Sequence, residues 1–273
     1  GRKMKKDKQV EQKNTLRRVA SASFIGNFVE WFDYAAYGFL ATVIAVVFFP
    51  QSDPLTALMA AYAIFAISFI LRPLGGIFWG HVGDKFGRKN ALSWSIILMT
   101  LATVCIALLP SYQSIGIFAP ILLLVFRMIQ GFSASGEYAG AANFLAEYAP
   151  KEKRGLYTSL VPASTAAGLL LGSVMAAAMF AFMSEAFLHE YGWRIPFLLA
   201  APLGLIGYYI RVKLEDTPEF FEHQKTGQKE NFPIKALFSQ YRPALFKAFA
   251  VASLNATAFY LIFSYMPNYL VTE

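Results

Sequence analysis

Five ionisable residues lie inside long apolar stretches of this chain: Glu30, Asp33, Arg72, Arg127 and Glu137. A charge at the centre of a bilayer costs roughly 3 kcal/mol on insertion scales, so such groups face a protein interior or water and not lipid. Glu30, Asp33 and Tyr37 follow the 3,4 spacing of one helical face, which Gly26 shares. Arg127, Gln130, Ala134 and Glu137 fall within an arc of about 80° at 100° per residue. At about 1.5 Å of rise per residue, Glu30 and Glu137 lie roughly 16 and 15 Å from the same side of the membrane, with Asp33 and Arg127 further outward. Two acids at one depth with an arginine above them suit a site for a proton and a charged or zwitterionic solute. The same groups also suit a buried ion-pair network that holds helices together, and Arg72, next to Pro73, fits that role better. Trp31, Tyr34 and Tyr37 offer ring faces of the kind a quaternary ammonium favours, although Trp31 would equally suit lipid.

The elements that position these residues are helices. The 273 residues are 56% hydrophobic with 26 Phe and 14 Tyr, and the mean hydropathy is +0.45. This composition excludes a disordered chain and argues against a soluble domain. Seven stretches are long enough to span a bilayer, near residues 19–49, 55–79, 90–109, 115–146, 156–183, 194–211 and 243–270. Gly76/Gly80, Gly136/Gly140 and Gly168/Gly172 are small-xxx-small pairs that let helices approach. Pro162 and Pro202 fall inside the fifth and sixth stretches.

The net charge of +7 is scattered between apolar stretches and forms no single patch, which excludes a nucleic-acid groove and marks membrane loops. Eight Lys and Arg precede the first stretch, three (Lys85, Arg88, Lys89) follow the second and three (Lys151, Lys153, Arg154) follow the fourth. The first and third connections have none, so the N-terminus is expected on the cytoplasmic side. The expected divisions are a basic cytoplasmic tail (1–18), a six-helix transmembrane bundle (19–211), a cytoplasmic linker (212–242) and one helix of a truncated second half (243–273). Cys105 is alone and His81, His189 and His223 are scattered, so no metal or other cofactor is expected. No nucleophile and base share a depth, which argues against an enzyme.

The connection "GHVGDKFGRK" places Gly80, Asp84, Gly87, Arg88 and Lys89 in the G-x-x-x-D-x-x-G-R-K pattern, between the second and third stretches. It resembles the signature of the major facilitator superfamily. Arg127, Gln130 and Gly131 match that family's R-x-x-Q-G element, and Glu147, Pro150, Arg154 and Gly155 match E-x-x-P-x-x-x-R-G. "GNFVEWFDYAAYGF", "GWRIPF" and "LEDTPEF" narrow the resemblance to the metabolite:proton symporter branch, nearest the proline/betaine transporters. One departure is Ser135, in "SASGE", where the branch usually has a glycine.

The resemblance implies an all-α membrane protein, the N-terminal six-helix bundle of the superfamily plus one helix of its C-terminal half, around a cavity lined by helices one, four, seven and ten. It implies proton-coupled symport of a small polar osmolyte such as proline or glycine betaine by alternating access. Alternatives are symport of organic acids such as 2-oxoglutarate, citrate or shikimate, or a membrane osmosensor that transports nothing. The fifth stretch lacks the glycine–proline motif associated with the superfamily's antiporters, which favours symport. The proton and substrate residues would be Glu30, Asp33, Tyr37, Arg127, Gln130 and Glu137. Asp84, Arg88, Glu147 and Arg154, with Gly80, Gly87 and Lys89 of the same motif, would form a cytoplasmic gate. Expected partners are the solute and protons, the lipid of a bacterial inner membrane, and the missing C-terminal half of the same protein.

Overall fold

The long apolar stretches are helical among the described residues, which contain no strand. The computed structural model describes residues 2–214, 216, 218–227, 233–262, 266 and 270. The chain divides into two units, Gly1–Gln228 and Lys229–Glu273. In the first, the long helices are α1 (Arg2–Phe39), which continues into the short α2 (Ala41–Phe48), then α3 (Pro54–Ile70), α4 (Arg72–Phe86) and α5 (Arg88–Ala107). A turn of helix, α6 (Tyr112–Ile115), leads into α7 (Phe118–Tyr148). The order continues with α8 (Arg154–Thr158), α9 (Leu160–Phe182), α10 (Glu185–Glu190), α11 (Ile195–Val212) and α12 (Pro218–Lys225).

Five helical stretches are long and apolar enough to cross a membrane, six when α1 and α2, bent 69° apart, count as one span. They correspond to the first six expected spans. The second unit holds α13 (Pro233–Ser239) and α14 (Arg242–Tyr260). α14 carries Arg242, Lys247 and Asn255 and is not among the stretches that reach spanning hydropathy over the described residues. Part of the expected seventh span, including residues 263–265 and 267–269, lies outside the described residues.

Two breaks in these helices follow from local chemistry. Pro73 has no N–H to give and its ring crowds the preceding turn, so the second span breaks at Leu71 into α3 and α4. Arg72 thereby opens a new helix in mid-span. At the start of α3, Asp53 caps the helix, accepting from the Thr56 hydroxyl at 2.5 Å and from the Thr56 N–H at 3.2 Å. Those bonds hold its carboxyl below the usual carboxylate range. Two boundaries differ most from the sequence reading. Helix α1 begins at Arg2, inside the expected 1–18 tail. The second span runs to Phe86, past residue 79, so most of the "GHVGDKFGRK" connection is helix and only Gly87 turns the chain.

The surface of this bundle is apolar and its interior mixes apolar packing with charge. Large apolar side chains such as Leu55, Met59 and Phe182 are exposed, and Asn27, Glu30, Asp33, Arg127, Gln130 and Glu137 are buried. Lipid is as apolar as leucine, so helices associate through close packing and interior polar contacts. The α1–α9 contact illustrates this, because a Cβ at Gly168 would meet Phe28 O at 2.7 Å and the Phe32 N at 2.9 Å. Asn27 fastens the same pair, donating to Val161 O, Ser164 Oγ and Thr165 Oγ1 at 3.0, 2.9 and 2.7 Å. Gly136 and Gly140 likewise face Trp79 and Leu92. At Gly76 and Gly80 an added Cβ would meet no atom within 4 Å among the described residues. Together with Trp79, Arg88, Ser135 and Asn143 they line a cleft among α4, α5 and α7.

Candidate functional site

The buried charges gather from four helices into three carboxylate–arginine pairs. On α1, Glu30 and Asp33 stand three residues apart and reach different partners. Glu30 pairs through Oε1 with Arg72 Nη2 at the start of α4; the side chains are 1% and 21% exposed respectively. Asp33 pairs through Oδ2 with Arg127 Nη1 of α7 at 2.6 Å, where the side chains are 6% and 0% exposed.

The second pair continues into a chain of polar groups. Arg127 donates to Gln130 Oε1 at 2.7 Å, Gln130 donates to Thr103 Oγ1 at 2.7 Å, and Thr103 donates to the Met99 carbonyl at 2.9 Å. The Arg127 guanidinium also lies over the Tyr37 ring at 4.1 Å from its centroid, while the Tyr37 hydroxyl donates to Ala61 O at 2.8 Å. Asp33, Tyr37, Arg127 and Gln130 are thus brought together as their helical phases predict.

Glu137 points elsewhere. Arg211, at the end of α11, donates to Oε1 and Oε2, each at 2.7 Å, and Ser95 of α5 donates to Oε1 at 2.7 Å. The same guanidinium donates to Leu92 O at 2.8 Å and Ala22 O at 2.9 Å. One ion pair therefore ties α1, α5, α7 and α11. A Cβ at Gly26 would strike both Arg211 and Glu137, so glycine opens the space for the pair. Arg211 is 1% exposed, although it is the last residue of the expected bundle, beside the linker, and is not among the candidate site residues read from the sequence. The available signal is phase: Gly204, Gly207 and Arg211 repeat at 3,4 spacing and all three are buried. Asn27 is a second residue that charge-based reading passes over.

At the end of the bundle that carries the signature motif, Arg88 Nη1 meets Asp84 Oδ1 at 2.5 Å and Arg88 Nε meets Glu147 at 3.5 Å. Gly87 has φ 105° and ψ 148°, a region open essentially to glycine alone. A Cβ there would also run into the Asp216 carboxylate. Asp216 accepts from the Lys89 backbone N–H at 3.2 Å and its carbonyl accepts from the Tyr148 hydroxyl at 3.0 Å. Lys89 thus enters through its backbone. Gly80 lines the cleft described above, and Arg154 is exposed and makes no ion pair among the described residues. No group of three or more metal-ligating side chains occurs among the described residues.

The family description "Sugar (and other) transporter" matches residues 19–265. The proline/betaine transporter of Escherichia coli K12 is 42% identical over 264 residues, covering 93% of this chain and 53% of that protein. The glycine betaine/proline/ectoine/pipecolic acid transporter OusA of Dickeya dadantii gives the same identity, over 93% of this chain and 53% of its own length. A putative proline/betaine transporter of Staphylococcus haemolyticus is 41% identical, over 94% of this chain and 55% of its own. The chain therefore spans about half the length of these curated relatives. Among solved structures, the major facilitator superfamily proton:xylose symporter XylE bound to 6-bromo-6-deoxy-D-glucose superposes with a TM-score of 0.70 at 18% identity, over 80% of this chain and 48% of that one. The inward-open conformation of XylE from E. coli gives a TM-score of 0.66 at 18% identity, over 92% and 57%. These likenesses establish the fold.

Proposed function

Because the chain belongs to the sugar (and other) transporter family and has the major facilitator fold, we propose that it forms half of a proton-coupled symporter for a small zwitterionic osmolyte, of the proline or glycine betaine class. The observation that carries this reading is charge balance. Three interior carboxylates (Glu30, Asp33, Glu137) face three guanidiniums (Arg72, Arg127, Arg211). A zwitterion brings a positive and a negative group and leaves that balance unchanged. A di- or tricarboxylate would leave several negative charges uncompensated in a low-dielectric interior, which weighs against organic acids. The names of the relatives support the same class of solute.

In this reading Asp33 takes the proton. Protonation removes the negative partner of Arg127, and the guanidinium, still held by Gln130 and Tyr37, is left to recruit an anionic group. Glu30 and Arg72 receive the solute. Glu137 holds the bundle around them with Arg211. The Asp84–Arg88–Glu147 cluster, with Gly80, Gly87, Lys89 and Arg154 nearby in sequence, favours one side of alternating access. Positive loop charge supports a cytoplasmic N-terminus in a bacterial inner membrane. The second half of the cavity would come from the rest of a longer protein or from a second copy.

Uptake of labelled proline, glycine betaine and 2-oxoglutarate into proteoliposomes, with and without an inside-alkaline pH gradient, tests this. Gradient-driven entry of proline or betaine but not 2-oxoglutarate is expected. Glu30→Gln should leave membrane abundance near normal and abolish uptake. Gradient-independent entry, preference for the dicarboxylate, or full uptake by Glu30→Gln would each refute the assignment.

A further inference from the structure

Arg72 is held by more than Glu30. Its guanidinium carbon lies 4.7 Å from the Phe69 ring centroid, 4.9 Å from Tyr34 and 5.5 Å from Trp31, all within the range at which a cation is drawn to a ring face. Tyr34 and Phe69 stack at 5.0 Å with planes 27° apart, and Trp31 meets Tyr34 edge-on at 5.7 Å. One carboxylate and three aromatic rings thus surround a single positive charge.

The hold on that charge is incomplete. Arg72 reaches Glu30 through Nη2 alone. Glu30 Oε2, Arg72 Nε and Trp31 Nε1 are buried with no hydrogen-bond partner among the described residues. The arginine side chain is 21% exposed above a carboxylate that is 1% exposed. Arg127 differs in access: Asp33 Oδ1 and Arg127 Nε and Nη2 also lack a hydrogen-bond partner among the described residues, but Arg127 bonds Gln130 as well as Asp33 and its side chain is 0% exposed. At Arg72, the ring faces and one carboxylate oxygen without a donor suit a cation that has no N–H at all.

We propose that Glu30, Trp31, Tyr34 and Phe69 form the subsite for the quaternary ammonium of a betaine-type zwitterion, with Arg72 as its resident cation. The incoming ammonium displaces the guanidinium from the rings, and the guanidinium turns to the solute's own carboxylate. The number of opposite charges is conserved, so exchange leaves no buried charge unpaired. The inference rests on the osmolyte reading above and specifies where the positive end of the solute binds.

Equilibrium binding of radiolabelled glycine betaine and of radiolabelled tetramethylammonium to the protein in lipid nanodiscs, measured beside proton-driven uptake in proteoliposomes, separates the two claims. Tetramethylammonium has no carboxylate, so Arg72→Gln should bind it about tenfold more tightly and bind betaine about tenfold more weakly than the parent. Trp31→Leu and Phe69→Leu should each weaken both probes by about three- to tenfold, while Trp31→Phe and Phe69→Tyr, which keep a ring, stay within about twofold. If Phe69→Leu does not fold, Phe69→Met keeps the volume and removes the ring. Unchanged affinity in the ring-free variants, no gain of tetramethylammonium binding in Arg72→Gln, or no binding of either probe by the parent overturns the subsite. Binding as expected without gradient-driven uptake would sink the transport reading and leave the subsite standing. Uptake that ignores the ring substitutions would do the reverse.

Discussion

Arg211→Met is expected to be among the most damaging single changes in the bundle. Arg211 is 1% exposed and gives Glu137 two bonds of 2.7 Å. Without it, Glu137 keeps one donor, the Ser95 hydroxyl, and remains a carboxylate that is 0% exposed. Removing one partner of a buried pair costs about 3–5 kcal/mol, or roughly two to three and a half powers of ten in the folding equilibrium. Glu137→Gln should fall at the lower end, about 3 kcal/mol, because Arg211 retains the Leu92 and Ala22 carbonyls. The combined Glu137→Met/Arg211→Met change leaves no stranded charge and should recover most of the loss. The assay is the fraction of purified protein that stays folded across a denaturing-detergent titration, for the parent, both single variants and the double. A cost below about 1 kcal/mol for either single change, or a double cost equal to the sum of the singles, would refute the argument that this pair ties the four helices.

Three further outcomes follow from the structure. Asp84→Asn weakens the 2.5 Å contact to Arg88 and should slow exchange between inward- and outward-open states, read as altered cysteine accessibility from the two faces; unchanged accessibility and uptake would remove it from the gate. Gly87→Ala forces a side chain into a glycine-only conformation and onto Asp216; a loss of about 1–3 kcal/mol is expected, and a variant as stable as the parent by detergent titration would contradict it. Gly168→Val presses on the Phe28 and Phe32 backbone of α1 and should lower the unfolding midpoint by more than Gly155→Val, which meets no neighbour; equal effects would show that close α1–α9 approach is dispensable.

The first six spans and the two polar faces were readable because both depend on local periodicity. Glu30, Asp33 and Tyr37 on one helix, and Arg127, Gln130 and Glu137 on another, share faces for reasons that 100° per residue makes plain. Pairing was not readable in the same way. Phase shows that Glu137 faces inward, but its partner lies 74 positions away at the far end of another helix, at the boundary with the linker. The shared depth of Glu30 and Glu137 suggested a common cavity, and only the arrangement of α4 and α11 sends them to different arginines. Glycine pairs were similarly ambiguous: Gly168/Gly172 and Gly136/Gly140 touch a neighbour, and Gly76/Gly80, with the same spacing, open onto a cleft. Sequence spacing specifies a smooth strip on a helix, and what lies against that strip is a property of the assembled bundle.

Tyr34 has a position whose importance extends beyond either pair. Its ring lies 4.9 Å from the Arg72 guanidinium and 5.4 Å from that of Arg127, so the two cations share one quadrupole. Withdrawing either one strengthens the claim of the other on that ring, and the effect must be equal in both directions because linkage between two sites is reciprocal. Under the proposed mechanism, a proton that loosens Arg127 and a solute that dislodges Arg72 would therefore communicate through a single phenol, without touching each other.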